Sequence, residues 1–75
     1  MKVSVKLVGG LIHTFGFSER ELELPPGTTV AELLDAIGID RTRPLIVGRN
    51  GWALDLVEEL CEGDRILVSP VFSGG

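Results

Sequence analysis

Residues 2–8 alternate: Val3, Val5 and Leu7 fall on one side of an extended chain, and Lys2, Ser4 and Lys6 on the other. That period predicts a half-buried strand. Gly9-Gly10 ends or bulges it, and residues 9–18 read as a loop or loosely paired connection. Alternation resumes with Glu19, Glu21 and Glu23 outward and Leu22 and Leu24 inward, so the two strands predict a hairpin with a long loop. Pro25-Pro26-Gly27 stops the sheet. Thr29, with Glu32 three residues on, reads as a capping box. Val30, Leu33, Leu34 and Ile37 then fall at i, i+3, i+4 and i+7, the stripe of a short amphipathic helix, and Gly38 closes it.

Beyond Pro44, the β-branched run Leu45-Ile46-Val47 predicts a short central strand, and Asn50-Gly51 is a tight-turn pair. Ala53-Leu54 is suited to brief pairing, and Leu56 to Leu60 to one helical or 3₁₀ turn. Glu62-Gly63-Asp64 is a further turn, and residues 65–72 form the last strand. The order is β-β-α-β-(β)-β. One helix with one apolar stripe, and strands with one apolar face each, can share a single core. The expected class is α+β: a β-grasp (ubiquitin-like) fold, with a mixed sheet of four to five strands packed on one helix. A ferredoxin-like fold ranks second, because it needs another full helix.

Composition narrows the function more than the fold. Seventy-five residues make one domain, 1–75, close to the lower size limit for an independent core. A hydrophobic content of 44% with 24% charged residues is globular rather than disordered. No apolar run is long enough to span a bilayer and no leader pattern opens the chain, so a soluble, cytoplasmic protein is expected, with no membrane partner. The net charge of −4 opposes nucleic-acid binding and suits a partner with a basic or mixed surface.

Catalytic residues are hard to assemble. Cys61 is the single cysteine, so no internal disulfide forms; Leu60 and Glu62 beside it offer no cation to lower its pKa, and it is expected as a half-buried packing residue. His13 reads as a loop residue with no positioned partner. Glu58, Glu59, Glu62 and Asp64 read as a solvated or docking surface. Gly9-Gly10 has no phosphate-loop pattern around it, and no residues stand at a metal-ligand spacing.

Gly74-Gly75 is different. Glycine loses the most backbone entropy on ordering and has no side chain to bury, so a terminal pair is a poor structural element. It is a good chemical handle: slim enough to thread a narrow channel, with no Cβ crowding the final carbonyl. A carboxylate is inert until converted to an acyl-adenylate, after which sulfur or amine nucleophiles can attack it.

The whole chain resembles the MoaD/ThiS family of ubiquitin-like sulfur carrier proteins. The resemblance rests on the opening Val-Ser-Val-Lys-Leu strand, Pro-Pro-Gly-Thr-Thr-Val-Ala-Glu-Leu-Leu at residues 25–34, Asn50-Gly51, and the close Leu-Cys-Glu-Gly-Asp, strand, Pro-Val, Gly-Gly at residues 60–75. It implies that the reactive group is the Gly75 carboxyl, with Gly74 beside it. An E1-like adenylyltransferase of the MoeB/ThiF type would use ATP and Mg²⁺ to adenylate it, and a sulfur donor would convert it to a thiocarboxylate. The carrier itself would bind no cofactor. It would be no enzyme, though it could serve as the small subunit of a molybdopterin synthase-like enzyme. The acceptor would be a molybdopterin precursor held by the large synthase subunit, the thiamin thiazole through thiazole synthase, or a tRNA. Leu67, Val71, Phe72 and Ser73 are the implied partner-binding residues. The commonest MoaD ending has one residue between Pro-Val and Gly-Gly; here Phe72 and Ser73 both intervene, which leaves the acceptor open. Two other readings stand beside it: a protein modifier joined to lysines by isopeptide bonds, and a plain interaction module.

Overall fold

Strands in which every second residue is buried make the middle of the sheet. In β1 (Lys2–Leu7) these are Val3, Val5 and Leu7, and in β5 (Arg65–Pro70) they are Ile66 and Val68. The computed structural model describes residues 1–40 and 44–71. Between β1 and β5 the chain adds α1 (Gly10–Phe15), β2 (Glu19–Glu23), α2 (Val30–Ile37), β3 (Leu45–Arg49) and β4 (Trp52–Ala53). The sheet order is β2-β1-β5-β3-β4. β1 runs parallel to β5, pairing Val5 with Ile66 and Leu7 with Val68, while the other neighbours are antiparallel. The expected β-grasp is therefore present, with β5 at the centre and β3 next to it.

The stripe expected of α2 is the one it buries. Val30, Leu33 and Leu34 are buried, Ile37 packs at their margin, and Ile39 follows beyond the closing Gly38. The capping box is formed in both directions: the Glu32 amide donates to Thr29 Oγ1 at 3.3 Å, and the Thr29 amide donates to Glu32 Oε1 at 3.0 Å. Two further N–H groups at the start of α2 donate outside the helix, Val30 to the Glu58 carbonyl (2.9 Å) and Ala31 to the Leu56 carbonyl (3.0 Å). The segment over 56–60, expected as one helical or 3₁₀ turn, begins with such a turn, the Glu58 amide donating to the Asp55 carbonyl at 3.1 Å. It is also a strap across the helix start, tied again by the Leu60 amide to the Thr28 carbonyl. It satisfies donors that a helix start leaves open.

The connection after β1 departs from expectation. Residues 9–18 are not simply a loop, because Gly10–Phe15 forms α1. Six residues are too few to stand as a helix on propensity alone. Packing decides: Leu11 enters the core, and Ile12 and Phe15 lie against it. The Gly16 amide closes the last turn on the Ile12 carbonyl at 2.9 Å. Asn50 and Gly51, at φ 53° and 84°, make the two-residue turn between β3 and β4. Positive φ at both positions matches the twist of a tight hairpin. No helix among the described residues is long and apolar enough to cross a membrane.

Candidate functional site

One face of the sheet is covered by α2; among the described residues, no element lies over the other. Strand alternation decides what stands there. From β5 come Arg65, Leu67 and Ser69, and Gly48 pairs with Leu67 while Ile46 pairs with Ser69 across β3. From β1 come Ser4 and Lys6, in register with Arg65 and Leu67. β2 adds Glu19 and Glu21, opposite Lys6 and Ser4. The face therefore grades from acidic at β2, through basic, to apolar at β3 and β4. At the apolar end Leu67 is 42% exposed, Ile46 51% and Trp52 78%, and Val71, just past β5, is 43% exposed. Single exposed apolar residues are common on soluble proteins; a group on one uncovered face is the informative observation.

Leu67 and Val71, the sequence-predicted partner residues that fall among the described ones, are both exposed. Phe72, Ser73, Gly74 and Gly75 lie outside the described residues. Sequence reading missed Ile46 and Trp52. The signal was available: once Asn50-Gly51 is placed as a two-residue turn, alternation back from it puts Val47 inward and Ile46 outward.

In the acidic cluster Glu59 and Glu62 are exposed, as a solvated surface requires, but three of its carboxylates also have a structural task. Asp64 Oδ2 accepts from the Cys61 amide at 2.7 Å and from Arg49 Nη1 at 2.8 Å, and Glu58 Oε2 lies 4.0 Å from Arg49 Nη2. Glu62 Oε2 accepts from the Lys2 amide at 3.1 Å. With Gly63 at φ 81°, its amide donating to the Lys2 carbonyl, the turn pins the start of β5 against β1. These carboxylates hold the turn, which gives the Gly-Asp pair a structural cause. Its hydrogen bond to Asp64, with the Asp64 charge behind it, holds the Arg49 guanidinium above the usual arginine range.

Cys61 is exposed, not half-buried as expected. Leu60 takes the buried position of that turn, leaving Cys61 to face outward. His13 sits exposed on α1 rather than in a loop. Among the described residues, no group of His, Cys, Asp and Glu is placed to hold a metal ion.

Comparison with known proteins places this geometry. The small archaeal modifier protein SAMP1 of Haloferax volcanii superposes with a TM-score of 0.83 over 100% of both chains at 24% identity. A protein assigned as molybdopterin converting factor, subunit 1, from Pyrococcus furiosus gives 0.80 at 30% identity, covering 93% of this chain and 97% of its own. A complex of subunits 1 and 2 of the molybdopterin-converting factor from Helicobacter pylori 26695 gives 0.67 at 20% identity over 100% of both chains. No curated protein sequence matches the chain at a significant level. The first and third likenesses are of fold, that of a ubiquitin-like β-grasp. The family profile goes further, since it aligns from β1 through the central strand to the final glycine pair. With that match running over residues 5–75, the chain belongs to the ThiS family.

Proposed function

We propose that the chain is a sulfur carrier protein whose reactive atom is the carboxyl carbon of Gly75. An E1-like adenylyltransferase of the MoeB/ThiF type, with ATP and Mg²⁺, joins the carboxylate to AMP and releases pyrophosphate. A sulfur nucleophile from a donor displaces AMP and leaves a thiocarboxylate, which gives its sulfur to an acceptor in molybdopterin or thiamin biosynthesis. The observation that carries this reading is the ThiS family match, which extends through Gly74 and Gly75. The likeness to the Pyrococcus protein supports a molybdopterin acceptor, and the two-subunit Helicobacter complex supports a large synthase subunit as partner. Leu67, Val71, Phe72 and Ser73 are the contact residues in this reading, with the exposed Ile46 and Trp52 extending the surface.

The alternative is a ubiquitin-like modifier, favoured by the fold shared with SAMP1. Here the same adenylated Gly75 acylates a lysine amine and releases AMP. A carrier for tRNA thiolation follows the first chemistry with another acceptor. Intact-mass analysis of the protein isolated from its own cells separates the readings. A sulfur-for-oxygen increment on Gly75 is expected for the carrier, and isopeptide conjugates mark the modifier. Deleting Gly75 is expected to abolish ATP–pyrophosphate exchange with the adenylyltransferase while leaving Tm within about 2 °C, since glycine has no side chain to bury. Undiminished sulfur transfer by the deleted form would overturn the proposal.

A further inference from the structure

Gly48 lies within β3 without a backbone reason to be glycine. Its φ is not among the positive values that six other glycines of the chain adopt. Glycine inside a strand weakens it, and it often marks a place where a ligand or another backbone comes close. A Cβ added at Gly48 would meet the Trp52 carbonyl group, its oxygen at 3.4 Å and its carbon at 4.0 Å, at the close edge of ordinary contact. A Cβ would therefore be accommodated, and the bare glycine borders a hollow of about 280 Å³ on the uncovered face. Ile46, Trp52 and Leu67 wall the hollow, and Arg65 stands at its rim. That volume lies at the lower edge of the roughly 300–1,000 Å³ of small-molecule sites and is ample for one bulky side chain.

Resting on the carrier reading, we infer that Gly48 is the specificity-determining residue of the docking face. It keeps open a socket for one bulky apolar side chain of the adenylyltransferase, presented beside a carboxylate that pairs with Arg65. Charge selects this occupant. Arg65 has no ion-pair partner among the described residues, so an incoming carboxylate displaces none. The apolar walls supply the desolvated pocket in which interface anchors concentrate their binding energy, and Arg65 on β5 separates it from the charged row of β1. A second copy of this chain would bring its own Arg65 toward the first wherever the two hollows met face to face.

The test fills the socket. Gly48→Leu occupies the hollow, and Ala36→Leu adds the same bulk at an exposed position on α2, away from the sheet face. Binding of each full-length form to the MoeB/ThiF-type adenylyltransferase of the same organism is measured by calorimetry without nucleotide, and ATP–pyrophosphate exchange is measured separately. Expected results are a Kd raised about tenfold or more by Gly48→Leu, the loss typical of an interface anchor, with Ala36→Leu unchanged and both variants melting as the parent does. Arg65→Glu should also weaken binding and reverse its salt dependence. A Kd within twofold of the parent for Gly48→Leu overturns the inference, as does a parent chain that does not bind the enzyme. Self-association of the parent that Gly48→Leu abolishes, with enzyme binding intact, overturns it too by naming a second copy as the occupant. The carrier reading fails separately. Binding that depends on Gly48 without any exchange would remove Gly75 adenylation and leave the socket standing.

Discussion

Asp64 shows how one side chain can set the position of a strand. Its carboxylate is 13% exposed and accepts from the Cys61 amide and from Arg49, closing the turn from which β5 departs. Asp64→Ala is expected to cost about 1.5–3 kcal/mol in urea unfolding, the range for a hydrogen bond to a charged group. Asp64→Asn should cost less, because the amide oxygen still accepts from Cys61. Trp52 gives a second residue-scale expectation. It is the single tryptophan and is already 78% exposed, so its emission should change little on unfolding and shift blue when a partner covers the face. Cys61 shows why single residues are hard to place from sequence. Free cysteine is usually buried, but in a tight turn only one of two neighbours faces the core, and Leu60 is the more apolar.

Among the elements, α2 and α1 mark what pattern does and does not reveal. α2 was legible from both ends, because its capping box, apolar stripe and closing glycine agree. Thr29→Ala should cost about 1 kcal/mol, as cap removals do. Leu33→Ala, at a fully buried position, should cost about 2–5 kcal/mol. In a domain this small that is a large part of the total stability, so a measurable unfolded fraction at 37 °C by circular dichroism is expected. α1 was not legible, since glycine at its start and a length of six residues both argue against a helix, and the contacts that override them come from distant segments. The strap over 56–60 escaped for the same reason: the hydrogen bonds that hold it to the helix start run to residues 28–31, a pairing with no local signature.

Across the whole molecule, the fold followed from counting faces, because one helical stripe and several one-sided strands have few ways to share a core. The neighbour order of the strands did not follow, since no local period says that β1 lies beside β5. The site was legible in part. Leu67 and Val71 emerged as partner residues, whereas Ile46, Gly48 and Trp52 become a surface only when β3 and β4 are seen flanking β5. Replacing Leu67 with Ser should spare stability, as the residue is already exposed, and should weaken partner binding by roughly the factor lost at an interface anchor. A calorimetric titration read together with thermal unfolding checks both halves.

The parallel pairing of β1 with β5 also has a mechanical side. Met1 lies before the start of β1 and Val71 just past the end of β5, and the two strands point the same way in the middle of the sheet. Tension applied between those points pulls the strands past each other lengthwise. The pairs Ser4–Arg65, Val5–Ile66, Lys6–Leu67 and Leu7–Val68 then bear the load together, whereas pulling between β1 and β2 at their open end would part the pairs one at a time. Forced unfolding is governed by the barrier to rupture rather than by equilibrium stability. In single-molecule pulling, the 1–71 direction should therefore need a clearly higher force than a direction that peels β2 from β1. A domain drawn by its end into another protein's channel would keep its shape under that tug.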